Sequence, residues 1–137
     1  MKKVEVHGRR RLLDDFFQID EVTLSHQLRD GSMSRPLRRL VLERGDAVAV
    51  LLFKPADQRV VLVRQFRYPT CGRGDGWLLE VVAGIPGPEE KPVEAARREI
   101  LEEAGYQVEE LEHIATFYTN PGGSSERIVL YFSQVSE

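Results

Sequence analysis

The chain has 137 residues, 42% of them apolar and 30% charged, with a formal net charge of -3. That supports one ordinary hydrophobic core and argues against a general polyanion-binding surface, so nucleic acid is not an expected partner. Cys71 is the only cysteine, which excludes an intrachain disulfide and a cysteine-built zinc framework. No apolar run approaches the roughly 20 residues of a membrane span. The Met-Lys-Lys opening leads into Val-Glu-Val-His rather than an apolar signal core. A cytoplasmic protein with no membrane partner is the expectation.

In chain order, "FFQIDEVTLSHQL" ends at Leu28, Asp30-Gly31 is a turn signal, and "LRRLVLERG" follows from Leu37. This pattern predicts an antiparallel hairpin. The runs "AVAVLLF" (47–53) and "RVVLVRQF" (59–66) flank "KPADQ", where Pro55 suits a tight turn. Both are continuous enough to be buried strands of a second hairpin. Beyond the glycine-rich "TCGRGDG", the segment "WLLEVVAG" reads as a strand. Pro92 then opens the one convincing helix, which Gly105 closes. "HIATFYT" and "RIVLYFSQV" are two further strands, separated by the loop "NPGGSS". The sum is an α+β chain of mixed β-sheets around one helix, in a single compact domain. His7, His26 and His113 fall at no ligand spacing and read as surface or packing residues.

The helix carries the chemistry. At about 100° per residue, Glu103 lies ~40° and Glu102 ~60° from Glu99, on opposite sides, so three carboxylates share one stripe. Val93, Ala96, Ile100 and Ala104 recur at helical spacing as a buried seam beside it. Like charges three and four residues apart cost a helix a few tenths of a kcal/mol each. One reading is a solvated face relieved by Arg97 and Arg98. The other is a row of oxygen ligands for a hard cation, Mg²⁺ or Mn²⁺, which keeps substrate phosphates as its remaining ligands.

The complete spacing favours the second. Five residues separate Gly84 from Glu90, seven more lead to Arg98-Glu99-Ile100, one to Glu102-Glu103, and one more to Gly105. This spacing resembles the Nudix box at each of its fixed positions, with Tyr106 where that pattern favours an aliphatic residue. Gly84 and Gly87 let the backbone bend between strand and helix, and Arg98 can pair with Glu90 to hold that loop against the helix. Beyond the box, "FFQIDEVTLSHQLRDGSMSR", "LRRLVLERGDAVAVLL", "VVLVRQFR", "WLLEVVAG" and "NPGGSSE" resemble the ADP-ribose pyrophosphatase branch of the Nudix hydrolases, from about Phe16 to Val135.

The resemblance implies an α/β/α sandwich of Nudix type, with an amino-terminal antiparallel β region over residues 1–45 and a Nudix catalytic domain over 46–137, and metal-dependent hydrolysis of ADP-ribose, or of another nucleoside diphosphate sugar such as GDP-mannose. It implies Glu99, Glu102 and Glu103 as metal ligands, with a backbone carbonyl near Ala83 joining them. It also implies a homodimer through the amino-terminal strands, where Phe16 or Phe17 and Arg38 or Arg39 complete the partner's adenine pocket. The phenylalanines have the alternative of plain core packing. Arg67 and Glu80 fall where the family reads the nucleotide, although Glu80 also suits a solvent-facing strand position. Pro121, Gly122 and Gly123 would bring backbone N–H groups close to a terminal ribose or phosphate, and Glu126 would accept from a sugar hydroxyl or orient a water. In similar enzymes the glutamate that acts on the attacking water lies on a loop beyond the last strand seen here, followed by a helix. That leaves three expectations open: a chain shortened at this end, Glu102 or Glu126 serving instead, or a module that binds ADP-ribose without turning it over.

Overall fold

The computed structural model describes residues 3–136, which form two compact units. The first takes the described residues up to Gly45 together with Tyr118–Glu126; the second takes Asp46–Phe117 and the described residues from Arg127 onward.

The first unit is a three-stranded antiparallel sheet in the order β1 (Val4–Asp14), β2 (Gln18–His26), β3 (Leu37–Glu43). The β2–β3 hairpin matches the sequence pattern. Its connection turns at Gly31, whose φ of 90° suits a residue without Cβ, and the Asp30 carboxylate accepts the Ser32 N–H at 3.0 Å. β1 was not among the expected elements. It lacks a buried apolar face and is held by charge instead: Arg9 and Arg11 both donate to Asp20, which is 1% exposed, while Arg10 and Arg38 donate to Glu21 from either side. Hydrogen bonds from Arg11 and then Arg9 hold the Asp20 carboxyl below its usual range. Residues after β9 join this sheet as well, since the Leu42 N–H donates to the Gly123 carbonyl at 2.8 Å.

The second unit is built on β4 (Ala47–Lys54). Its neighbours are β5 (Arg59–Val61), β8 (Val82–Gly84) and β10 (Arg127–Gln134), with β9 (Glu112–Tyr118) beyond β10. β10 runs parallel to β4, from Ile128 opposite Ala47 to Gln134 opposite Phe53. Pairing on both edges explains why β4 reads as an unbroken apolar run, and Val48, Val50 and Leu52 are fully buried. Two segments expected as single strands each change partner midway. Residues 59–61 pair with β4, whereas β6 (Val63–Phe66) pairs with β7 (Trp77–Glu80); the second break falls at Val81.

Helix α1 (Pro92–Glu99) starts where Pro92 needs no intrahelical N–H partner, and the Glu94 carboxylate accepts the Lys91 N–H at 3.2 Å. It was expected to run as one α-helix to Gly105. Instead Ile100–Ala104 widens into a π-helical turn, and Gly105 ends it with φ 74°, its N–H on the Leu101 carbonyl. Ala95, Ala96 and Ile100 pack on Val48, Val50, Leu52, Val82, Tyr131 and Val135. Burying one side chain the size of Leu52 or Ile100 contributes about 1.5–3 kcal/mol, so the helix is anchored mainly by this seam. Among the described residues no helix is long and apolar enough to cross a membrane.

Candidate active site

The π turn and the loop before α1 bring the acidic side chains against β8. Glu99 lies in a gap that Gly84 leaves: a Cβ on Gly84 would sit 1.9 Å from Glu99 Oε1. Glu103 reaches the same strand, where its Oε2 accepts the Ala83 N–H at 3.2 Å and its Oε1 accepts the Gln65 amide at 2.5 Å. The contact with Ala83 is therefore made by its N–H.

Arg98 relieves the repulsion among the acids. Its Nε and Nη2 donate to the two oxygens of Glu90, each at 3.0 Å. Its Nη1 reaches Glu99 Oε1 at 2.6 Å and Glu102 Oε2 at 3.2 Å. Glu90 also accepts the Gly87 N–H at 2.9 Å, which ties the loop to the helix. Arg98 first, and that backbone N–H second, hold the Glu90 carboxyl down to about 2. In return Glu90 and then Glu99 raise the Arg98 guanidinium above its usual value. Among the described residues no three His, Cys, Asp or Glu side chains converge as a ready metal cage. Glu99 and Glu102 meet through the guanidinium, and Glu102 remains the outermost, its side chain 57% exposed against 13% for Glu99.

Arg67 and Glu80 face each other across β6 and β7, with Nε–Oε1 at 3.0 Å and Nη2–Oε2 at 2.7 Å. The pair lowers the Glu80 carboxyl and raises the Arg67 guanidinium, to which the nearby charge of Glu103 adds. Glu80 is thus ion-paired rather than a free solvent-facing residue.

In the first unit, Arg39, Pro121, Gly122 and Gly123 line one cavity together with Leu24 and Leu40. Arg38 is engaged elsewhere, on Glu21. Phe16 and Phe17 are 72% and 40% exposed, so neither is plain core. The Phe17 ring lies 5.7 Å from the Arg44 guanidinium. Glu126 accepts from the Thr119 hydroxyl at 3.1 Å and pairs with Arg44 at 3.3 Å. Gln65 has little signal in the sequence: it is a neutral amide on the same face as Val63 in the four-residue strand β6.

A family profile described as NUDIX domain matches residues 43–137. The chain belongs to the Nudix family. It is 38% identical over 133 residues to the ADP-ribose pyrophosphatase of Escherichia coli (strain K12), covering 96% of this chain and 64% of that protein. It is 37% identical over 137 residues to the ADP-ribose pyrophosphatase of Haemophilus influenzae, covering 96% and 63%. The chain therefore spans less than two thirds of the length of these relatives. It is also 36% identical over 136 residues to the GDP-mannose pyrophosphatase of Cronobacter sakazakii, covering 98% and 70%. A crystal structure of an ADP compounds hydrolase superposes with a TM-score of 0.74 at 22% identity, covering 96% of this chain and 67% of that one, which shows a Nudix fold.

Proposed function

We propose that this Nudix protein hydrolyses the pyrophosphate bond of ADP-ribose, adding one water to give AMP and ribose 5-phosphate, with Mg²⁺ or Mn²⁺ as cofactor. The observation that carries the reading is the seating of Glu99 in the gap left by Gly84, beside a Glu103 whose two oxygens are held by Ala83 and Gln65. Such fixed, oxygen-only donors suit a hard divalent cation, and an isolated acidic surface helix would have no need of that gap. Glu99, Glu102 and Glu103 would hold the ion, with the Ala83 carbonyl joining them. When bound, it would neutralise charge on the phosphate oxygens and acidify a water.

The protein's own groups do the rest. Arg98 and Glu90 keep loop and helix in one piece, so the carboxylates stay aimed while charge develops. Glu102, the most exposed of the three, or Glu126 would accept a proton from the attacking water. In this reading Arg67 and Glu80 would contact the nucleotide, Phe17 and Arg39 would complete the adenine pocket of a partner subunit, and Pro121, Gly122, Gly123 and Glu126 would approach a terminal ribose or phosphate. The reading includes a cytoplasmic homodimer through the first unit, whose edge strand β1 exposes Val4, Val6, Leu12 and Leu13.

The test is AMP release from ADP-ribose in the presence of Mg²⁺, abolished by Glu103→Gln. Likeness to a GDP-mannose pyrophosphatase, of which the chain covers 70%, supports GDP-mannose as the second substrate to assay beside it. Ligand-induced thermal stabilisation without product would favour a binding module instead.

A further inference from the structure

We infer that Gln65 is a positioning residue for the metal carboxylate Glu103, acting from a neighbouring strand. The inference rests on the metal-dependent reading above. Glu103 lies on the π turn, the least regular part of the helix, so helix geometry alone does not orient it. Two donors do: the Ala83 N–H on Oε2 and the Gln65 side chain on Oε1. An ionised carboxylate offers only acceptors, so the Gln65 group facing it is the NH₂ and not the carbonyl. Each carboxylate oxygen has two lone pairs, and one hydrogen bond apiece leaves one on each for a cation. The two bonds therefore fix the plane of the carboxylate without using up its capacity to bind.

Placement reinforces the point. Gln65 sits in β6, between Arg64 and Phe66, which point to the other face; there the Arg64 guanidinium lies 5.6 Å from the Trp77 ring, and the Phe66 ring meets that of Trp77 at 5.6 Å, tilted by 59°. That face and the pairing of β6 with β7 hold the strand, so the Gln65 amide is presented from a fixed backbone. Such outer partners of metal ligands typically contribute 10–100-fold in metal affinity or activity.

The experiment measures Mn²⁺ binding to the full chain without nucleotide, by loss of the free-ion electron paramagnetic resonance signal, in wild type, Gln65→Met, Gln65→Asn and Glu103→Gln. Met keeps the length and removes the donor; Asn keeps the amide one methylene too short to reach. Both are expected to weaken Mn²⁺ binding about tenfold, to show a smaller Mn²⁺-induced rise in melting temperature at the same metal concentration, and to melt near wild type without metal. If Glu103→Gln weakens binding and the Gln65 variants match wild type, the positioning role is overturned while the metal site stands. If wild type binds no Mn²⁺, or Glu103→Gln changes nothing, the metal reading itself fails and the inference with it. Should Gln65→Met not fold, Gln65→Asn decides the matter by the same criterion.

Discussion

Replacing Gly84 with Ala separates activity from stability. Gly84 does not have positive φ, so its backbone accepts an alanine, and Ala restricts the unfolded chain by about 0.4–1 kcal/mol in favour of folding. The new Cβ would meet Glu99 at 1.9 Å from Oε1, 2.0 Å from Cδ and 2.5 Å from Cγ, whereas ordinary contact begins at 3.4 Å. The obstacle is the end of a flexible side chain, so the fold yields locally: the carboxylate swings away by about 1.5 Å, the gap between the Oε1 separation and ordinary contact. A misplacement on the order of 1 Å costs about 100-fold in rate, or about 2.7 kcal/mol of barrier. With the activity proposed above, the assay is kcat/KM for AMP release from ADP-ribose at saturating Mg²⁺ beside a thermal melt. The expected result is a hundredfold loss with an unchanged or slightly raised Tm. A variant within threefold of wild type would show that Glu99 is not positioned by this gap, and a Tm falling in step with activity would reduce Gly84 to a folding residue.

Acid should loosen the loop–helix clamp. The folded Glu90 carboxyl, at about 2, lies below its ordinary 4.5, so its stabilising contribution is complete above 4.5 and disappears as pH falls toward 2. Denaturant midpoints of wild type and Glu90→Gln should therefore differ at pH 6 and converge across that window. Ile100→Ala removes a fully buried side chain at the start of the π turn and should cost about 2–5 kcal/mol, seen as a Tm drop on the order of 10 °C. Asp20→Ala removes the acceptor shared by Arg9 and Arg11. Amides of β1 should then exchange about tenfold faster or more, the scale of one lost charge-assisted hydrogen bond, while those of β4 keep their protection.

The parts legible in the sequence are those in which chemistry and spacing are local. Pro92 and Gly105 mark the helix because one lacks an N–H and the other reaches φ 74°. Arg98 and Glu90 lie eight positions apart, close enough for a motif to contain the whole ion pair. Other features depend on distant partners. β1 is hard to read from sequence because, beyond its backbone ladder with β2, its cross-strand contacts are largely guanidinium–carboxylate pairs and its apolar residues form no buried face. The breaks at Leu62 and Val81 follow from a choice of strand partner, which short apolar runs do not encode. The wide turn at Ile100–Ala104 uses residues equally at home in an α-helix. Gln65 escaped notice because its acceptor lies 38 positions away.

The parallel seat of β10 beside β4 has a consequence for biosynthesis. β10 is an interior member of its sheet, between β4 and β9, yet the ribosome makes it long after β4. Until residues 127–134 emerge, the growing polypeptide presents one open, strongly apolar margin of β4 to whatever it meets. Closing a register this remote in sequence is slow compared with forming a hairpin. The nascent protein is therefore most vulnerable to sticking during this interval, when a chaperone that shields bare strand edges would help most.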